Sequence, residues 1–97
     1  MDDSAFETKA SHLLRDLTAH FENILPEAEV DFEGGVLTVE LEDGRQYVLN
    51  KHAPTKQVWL SSPISGASHY LFDEVSASWK NTRGGDDLTA LLDKEIG

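Results

Sequence analysis

Eighteen carboxylates and four histidines, with no cysteine, bound the chemistry open to this 97-residue chain. Glu29, Asp31 and Glu33 alternate with Val30 and Phe32, so a strand places the three acids on one face and the apolar pair on the other. Such a row, with Glu22 and Glu27 close in sequence, repels itself. A hard or borderline cation such as Mg²⁺, Mn²⁺, Ca²⁺, Fe²⁺ or Fe³⁺ relieves that repulsion. The same row serves equally as a solvated face that keeps the protein soluble, and spacing alone does not choose among the ions. His12, Asp16 and His20 recur every fourth residue, a line along one flank of a helix. That line offers imidazole and carboxylate to a borderline metal. It reads equally as a polar flank with a His–Asp hydrogen bond.

Covalent catalysis finds little support. Without cysteine there is no thiol nucleophile, disulfide, thiolate metal site or direct cysteine ligation of an iron–sulfur cluster. The chain has no Gly-x-Ser-x-Gly elbow, phosphate-binding loop or His-Glu-x-x-His. Ser61, Ser62, Ser65 and Ser68 cluster without the His and Asp of a triad, so loop chemistry accounts for them. Zinc lacks its usual cysteines and paired histidines. The chain is therefore not expected to be an enzyme or to carry an organic cofactor. Lys56-Gln57-Val58-Trp59-Leu60-Ser61 is more informative. If Val58 and Leu60 point to a core, Trp59 stands on the opposite face with Gln57 and Ser61, near Asn50. That is the composition of a protein-interaction patch; cover by a neighbouring loop is the alternative.

Charge is unevenly spread. The net charge is -10, yet residues 1–45 hold twelve acids against Lys9, Arg15 and Arg45, and no acid occurs between Asp43 and Asp73. The front half is acidic and the middle is rich in hydroxyls and amides. A pI near 4.6 argues against nucleic acid, whose phosphates would be repelled. No run approaches the ~18 apolar residues that span a bilayer, so no membrane partner is expected. The start, Met1-Asp2-Asp3-Ser4, has neither the basic and apolar stretches of a secretory signal nor the arginines of a transit peptide.

These residues need elements to hold them. Phe6, Ala10, Leu13, Leu14, Leu17, Phe21 and Ile24 recur at three and four residues, the apolar stripe of a helix. Ser4 with Glu7 is the expected capping box, and Pro26 the stop. The period then becomes two, over 29–33 and 36–42, with Gly34-Gly35 and Asp43-Gly44 at hairpin positions. Further strands are expected at 46–50, 57–61, near 69–72 and near 77–80. Asp86 is the expected cap of a closing helix carrying Leu88, Leu91, Leu92 and Ile96. The expected fold is α+β: one domain over 1–97, a two-layer sandwich with two terminal helices on one face of a five- to six-stranded antiparallel sheet.

The stretch Asn50-Lys51-x-x-Pro54-x-Lys56-Gln57-Val58-Trp59-Leu60-Ser61-Ser62-Pro63-x-Ser65-Gly66 closely resembles the central signature of the frataxin family. Trp79 followed by Gly85, Leu88, Leu91 and Leu92 resembles its last strand and closing helix, and Asp3-Ser4-x-Phe6 and Gly35-Val36-Leu37 look like bacterial members, often called CyaY. The resemblance implies a small protein that binds iron, Fe²⁺ or Fe³⁺, weakly and serves iron–sulfur cluster assembly; a ferroxidase or iron-storage protein is the alternative. It implies iron ligands among Asp3, Glu7, Asp16, Glu22, Glu27, Glu29, Asp31 and Glu33, with His12 and His20 as further candidates on this chain. It implies docking on a cysteine desulfurase–scaffold complex through Asn50, Gln57 and Trp59, with Ser61 and His69 beside them. A monomer, with metal-induced oligomers, is expected, in bacterial cytoplasm or, for a processed eukaryotic protein, in the mitochondrial matrix. Two departures stand out. Thr18, Ala19, His20 and Asn23 dilute the usually acidic second half of the first helix, and His69 stands where family members often carry a basic residue.

Overall fold

The computed structural model describes residues 1–97. Its elements run α1 (Asp3–Ile24), β1 (Glu29–Glu33), β2 (Val36–Glu40), β3 (Gln46–His52), a single 3-10 turn (Ala53–Thr55), β4 (Gln57–Ser62), β5 (Gly66–Asp73), β6 (Ser78–Asn81) and α2 (Leu88–Ile96). The six strands form one antiparallel meander in chain order. Helix α1 lies over β1, β2 and β3 while α2 packs on β6, so both helices cover one face of the sheet and leave the other to solvent. The expected two-layer α+β sandwich is the observed one.

The core sits between the layers. From α1 it takes Phe6, Ala10, Leu14, Leu17 and Phe21, the stripe read from spacing, and from α2 it takes Leu88 and Leu92. The sheet contributes Leu37, Val39, Tyr47, Leu49, Val58, Leu60, Tyr70 and Trp79. Each fully buried Leu or Phe contributes about 1.5–3 kcal/mol. Trp79 meets Phe6 and Phe72 edge to face, with centroids 6.3 Å and 5.4 Å away.

Element ends differ from the expectations. Asp2, not Ser4, caps α1: its Oδ1 accepts the Ala5 N–H at 2.7 Å. Helix α1 therefore starts earlier, and Glu7 pairs instead with Lys51. Likewise Asp87 caps α2 by accepting the Ala90 N–H, while Asp86 pairs with Lys94. Strand β2 stops at Glu40 rather than 42, because the Asp43 carboxylate accepts from both the Arg45 backbone and its guanidinium and so tightens the turn. Strands β3 and β5 are longer than expected, since each finds paired neighbours on both sides. Between β1 and β2 both Gly34 and Gly35 have positive φ, the requirement of a two-residue hairpin.

Candidate functional site on the open sheet face

Strand alternation and register fix which side chains share the open face. One row runs Glu33, Val36, Asn50, Trp59, His69 across five strands, each paired with the next. The adjoining rows carry Asp31, Thr38, Val48, Ser61 and Ala67 on one side, and His52, Gln57, Leu71 and Lys80 on the other. Val58 and Leu60 point inward and are buried, so Trp59 is left half-buried on the open face. Its companions Asn50, Gln57, Ser61 and His69 are the expected docking residues, and the register brings all five together. The rings packed on the indole come from the neighbouring strands β3 and β5.

Two imidazoles cover it. Trp59 lies between His52, with ring centroids 3.8 Å apart and planes 13° from parallel, and His69, at 4.4 Å and 12°. His69 is its direct cross-strand partner, and His52 is the diagonal one. The indole Nε1 donates to Gln57 Oε1 at 2.8 Å, so Gln57 fixes the edge while the imidazoles fix the faces. His52 is held in turn by a 2.7 Å hydrogen bond between its Nδ1 and Thr55 Oγ1. Sequence reading missed His52 because the third strand was expected to end at Asn50. The available signal was parity: His52 stands two residues beyond Asn50, hence on the same face of any longer strand.

Carboxylates occupy the other end of this face. Glu29, Asp31 and Glu33 are exposed on β1, and Glu29 stands directly opposite Glu40 of β2. The face thus grades from acidic at β1 to neutral at Trp59; beyond it Lys80 of β6 lies 3.9 Å from the Asp73 carboxylate of β5. The helix acids lie in the other layer. Asp3 is 3.2 Å from Lys56 Nζ and Glu7 is 2.7 Å from Lys51 Nζ, so lysines already balance two of the iron candidates. Asp16, Glu22 and Glu27 are exposed and free of ion pairs. No His–Asp hydrogen bond forms among His12, Asp16 and His20. Nor do three carboxylate or imidazole groups converge anywhere into a ready-made coordination shell. The row offers a cation dispersed negative charge rather than a cage.

A second carboxylate network lies at the α2 end. Glu95 Oε1 accepts from the Tyr47 hydroxyl at 2.8 Å and the Ser62 hydroxyl at 2.6 Å. Partial burial works to raise the Glu95 carboxyl, but hydrogen bonds from Ser62, Ser65 and Tyr47 outweigh it and leave the group below its ordinary value. Burial, and then Glu95 itself, pushes the Tyr47 phenol up to about 12. Ser62, expected to be loop chemistry, also accepts the backbone N–H groups of Ile64 and Ser65 and so joins the β4–β5 turn to α2. This network is structural.

Known proteins resemble the chain throughout. The family described as Frataxin-like domain matches residues 1–97. A mitochondrial frataxin-like protein of Leishmania donovani is 39% identical over 97% of this chain and 54% of its own length. The iron-sulfur cluster assembly protein CyaY of Thioalkalivibrio sulfidiphilus is 33% identical over 99% of this chain and 91% of its own length. The chain spans about half the length of the Leishmania relative, and 64% of the Schizosaccharomyces pombe mitochondrial frataxin homolog. Among solved structures, the frataxin of Psychromonas ingrahamii superposes with a TM-score of 0.86 at 28% identity, covering 99% of this chain and 89% of its own. A trimeric frataxin from Saccharomyces cerevisiae, complexed with ferrous iron, superposes at 0.71 with 32% identity over 99% of this chain and 83% of its own. The stacked tryptophan, the acidic edge strand and the two helices over a six-stranded meander thus sit in a chain that belongs to the frataxin family.

Proposed function

We propose that this protein carries weakly held iron for iron–sulfur cluster assembly and docks on a cysteine desulfurase–scaffold complex through the open sheet face around Trp59. The observation that carries this reading is the half-buried Trp59, fixed by Gln57 and two imidazoles in a patch without carboxylates, on the same face as the acidic β1 row. A rigid aromatic ring among satisfied polar groups is the kind of residue that anchors protein interfaces. Iron is cargo in this reading. Glu22, Glu27, Glu29, Asp31 and Glu33, unpaired and exposed, supply oxygen ligands while water completes the shell, which gives weak and exchangeable binding. Relatives support it by name, one as an iron-sulfur cluster assembly protein and one as a complex with ferrous iron. An iron-oxidising centre needs carboxylates that converge on two metals; the dispersed row favours the carrier reading over that alternative.

The test is Trp59→Ala. The variant keeps its circular dichroism spectrum, because Trp59 is outside the core, and loses the effect of the wild-type protein on cluster formation by desulfurase and scaffold. A variant with the full wild-type effect rejects this face as the docking surface.

A further inference from the structure

His52, Trp59 and His69 come from three adjacent strands and stack as nearly parallel rings, the imidazoles on opposite faces of the indole. An unclamped surface tryptophan would lose rotamer freedom on binding, which costs affinity; a clamped one has already lost it. The clamp is also chargeable. Imidazole is the side chain whose charge changes between about pH 5 and 8, and an imidazolium on an indole face gains a cation–π contact.

No carboxylate lies within ion-pair distance of either imidazole. Around His52 stand Thr55, which binds its Nδ1, Gln57 opposite it on β4, and Lys56, whose ammonium is paired with Asp3 of α1. Around His69 stand Trp59 from β4 and, from the segment after β6, Thr82, whose N–H donates to the His69 carbonyl. Arg83 joins His69 in a cleft of about 410 Å³ whose polar lining is Ser65, Ser68, Asn81 and Thr82, with no acid. Lys80 lies beyond Leu71 and is 3.9 Å from Asp73. Glu33, at the far end of the Trp59 row, is three strands from the indole. In a chain of net charge -10, the acids that border this patch, Asp3 and Asp73, each lie beside a lysine, which leaves an unpaired guanidinium and two ionisable rings. The complementary surface is acidic.

Building on the docking reading above, we propose that His52 and His69 are positioning residues that make docking at Trp59 proton-dependent and direct it to a protein surface bearing carboxylates, one of which enters the cleft beside Arg83. With both rings protonated, the patch presents Trp59 flanked by two positive charges. With both neutral, the indole stays clamped but the attraction for the partner falls to that of Arg83.

The test measures affinity for the source organism's desulfurase–scaffold complex at about pH 6 and pH 8. Wild type is expected to bind about three- to tenfold more weakly at the higher pH. The His52→Gln/His69→Gln variant is expected to bind weakly at both, its ratio reporting only the partner's own titration. His69→Arg, charged throughout, is expected to bind tightly at both. A double variant whose pH profile parallels wild type overturns the role of the histidines, while Trp59→Ala binding like wild type overturns the docking face itself. No binding by wild type at either pH overturns both. In the free protein, the Trp59 indole N–H resonance should shift across this pH range in wild type and hold still in the double variant; an invariant wild-type resonance also rejects the proposal.

Discussion

Glu95 illustrates how one carboxylate can hold a helix to a sheet. It lies one residue before the end of α2 and collects hydroxyl donors from β3 and β4, closing the sandwich at that end. Glu95→Gln keeps the shape but removes the charge, and should lower stability by about 1 kcal/mol at neutral pH, measured by urea denaturation. Because the folded-state value is depressed, this advantage of the wild type is present above the unfolded carboxyl value of 4.5 and is lost as pH falls below it. The two proteins should then converge in acid. Gly35 is a second test at this scale. Its φ of +79 strains any L side chain, and an added Cβ would come within 2.8 Å of Lys51 Cε. Lys51 is flexible and can move, so backbone strain dominates, and Gly35→Ala should cost about 1–2 kcal/mol in the same measurement. Neither Glu95 nor the reach of Lys51 to Glu7 was legible in sequence, because their partners are 33 to 48 residues distant in the chain.

At the scale of elements, β1 concentrates the negative charge. It is an edge strand, and its acids limit unwanted strand pairing. Glu29 faces Glu40 directly, an arrangement that destabilises a sheet. Replacing Glu29, Asp31 and Glu33 by Gln, Asn and Gln should therefore weaken Fe²⁺ binding in calorimetry several-fold while raising the melting temperature slightly. Unchanged iron binding would remove β1 from the ligand set. The alternation that places these acids was fully legible in sequence. Their relation to the candidate docking residues was not: the sequence presents an acidic half and a neutral half as two regions, whereas pairing of β1 through β4 joins them on one face.

For the molecule as a whole, a net charge of -10 on 97 residues implies self-repulsion that salt screens. Added sodium chloride at moderate concentration should raise the melting temperature, and more so for wild type than for the β1 triple variant. The alkaline limit comes from two buried phenols: burial also raises Tyr70, and Tyr47 is the more strongly shifted. With its phenol pushed up to about 12 by burial and Glu95, the stability it contributes is intact below the ordinary tyrosine value of 10 and is lost as pH rises toward 12. Calorimetric melting across that range should show the decline, and Tyr47→Phe should lessen it, leaving the part that Tyr70 contributes.

Local periodicity and turn chemistry sufficed to determine the two helices, the hairpins, the apolar stripe and the inward or outward sense of most strand residues, since these depend on neighbours within a few positions. That the candidate docking residues Asn50, Gln57 and Trp59 share one region was legible for the same reason, as was the family their spacing resembles. Strand ends, helix caps and ion-pair partners were decided by tertiary structure, because several donors compete and only packing selects among them. The stack of His52, Trp59 and His69 belongs to that second group. Parity along each strand places the three rings on one face, but only the register between strands brings them into contact.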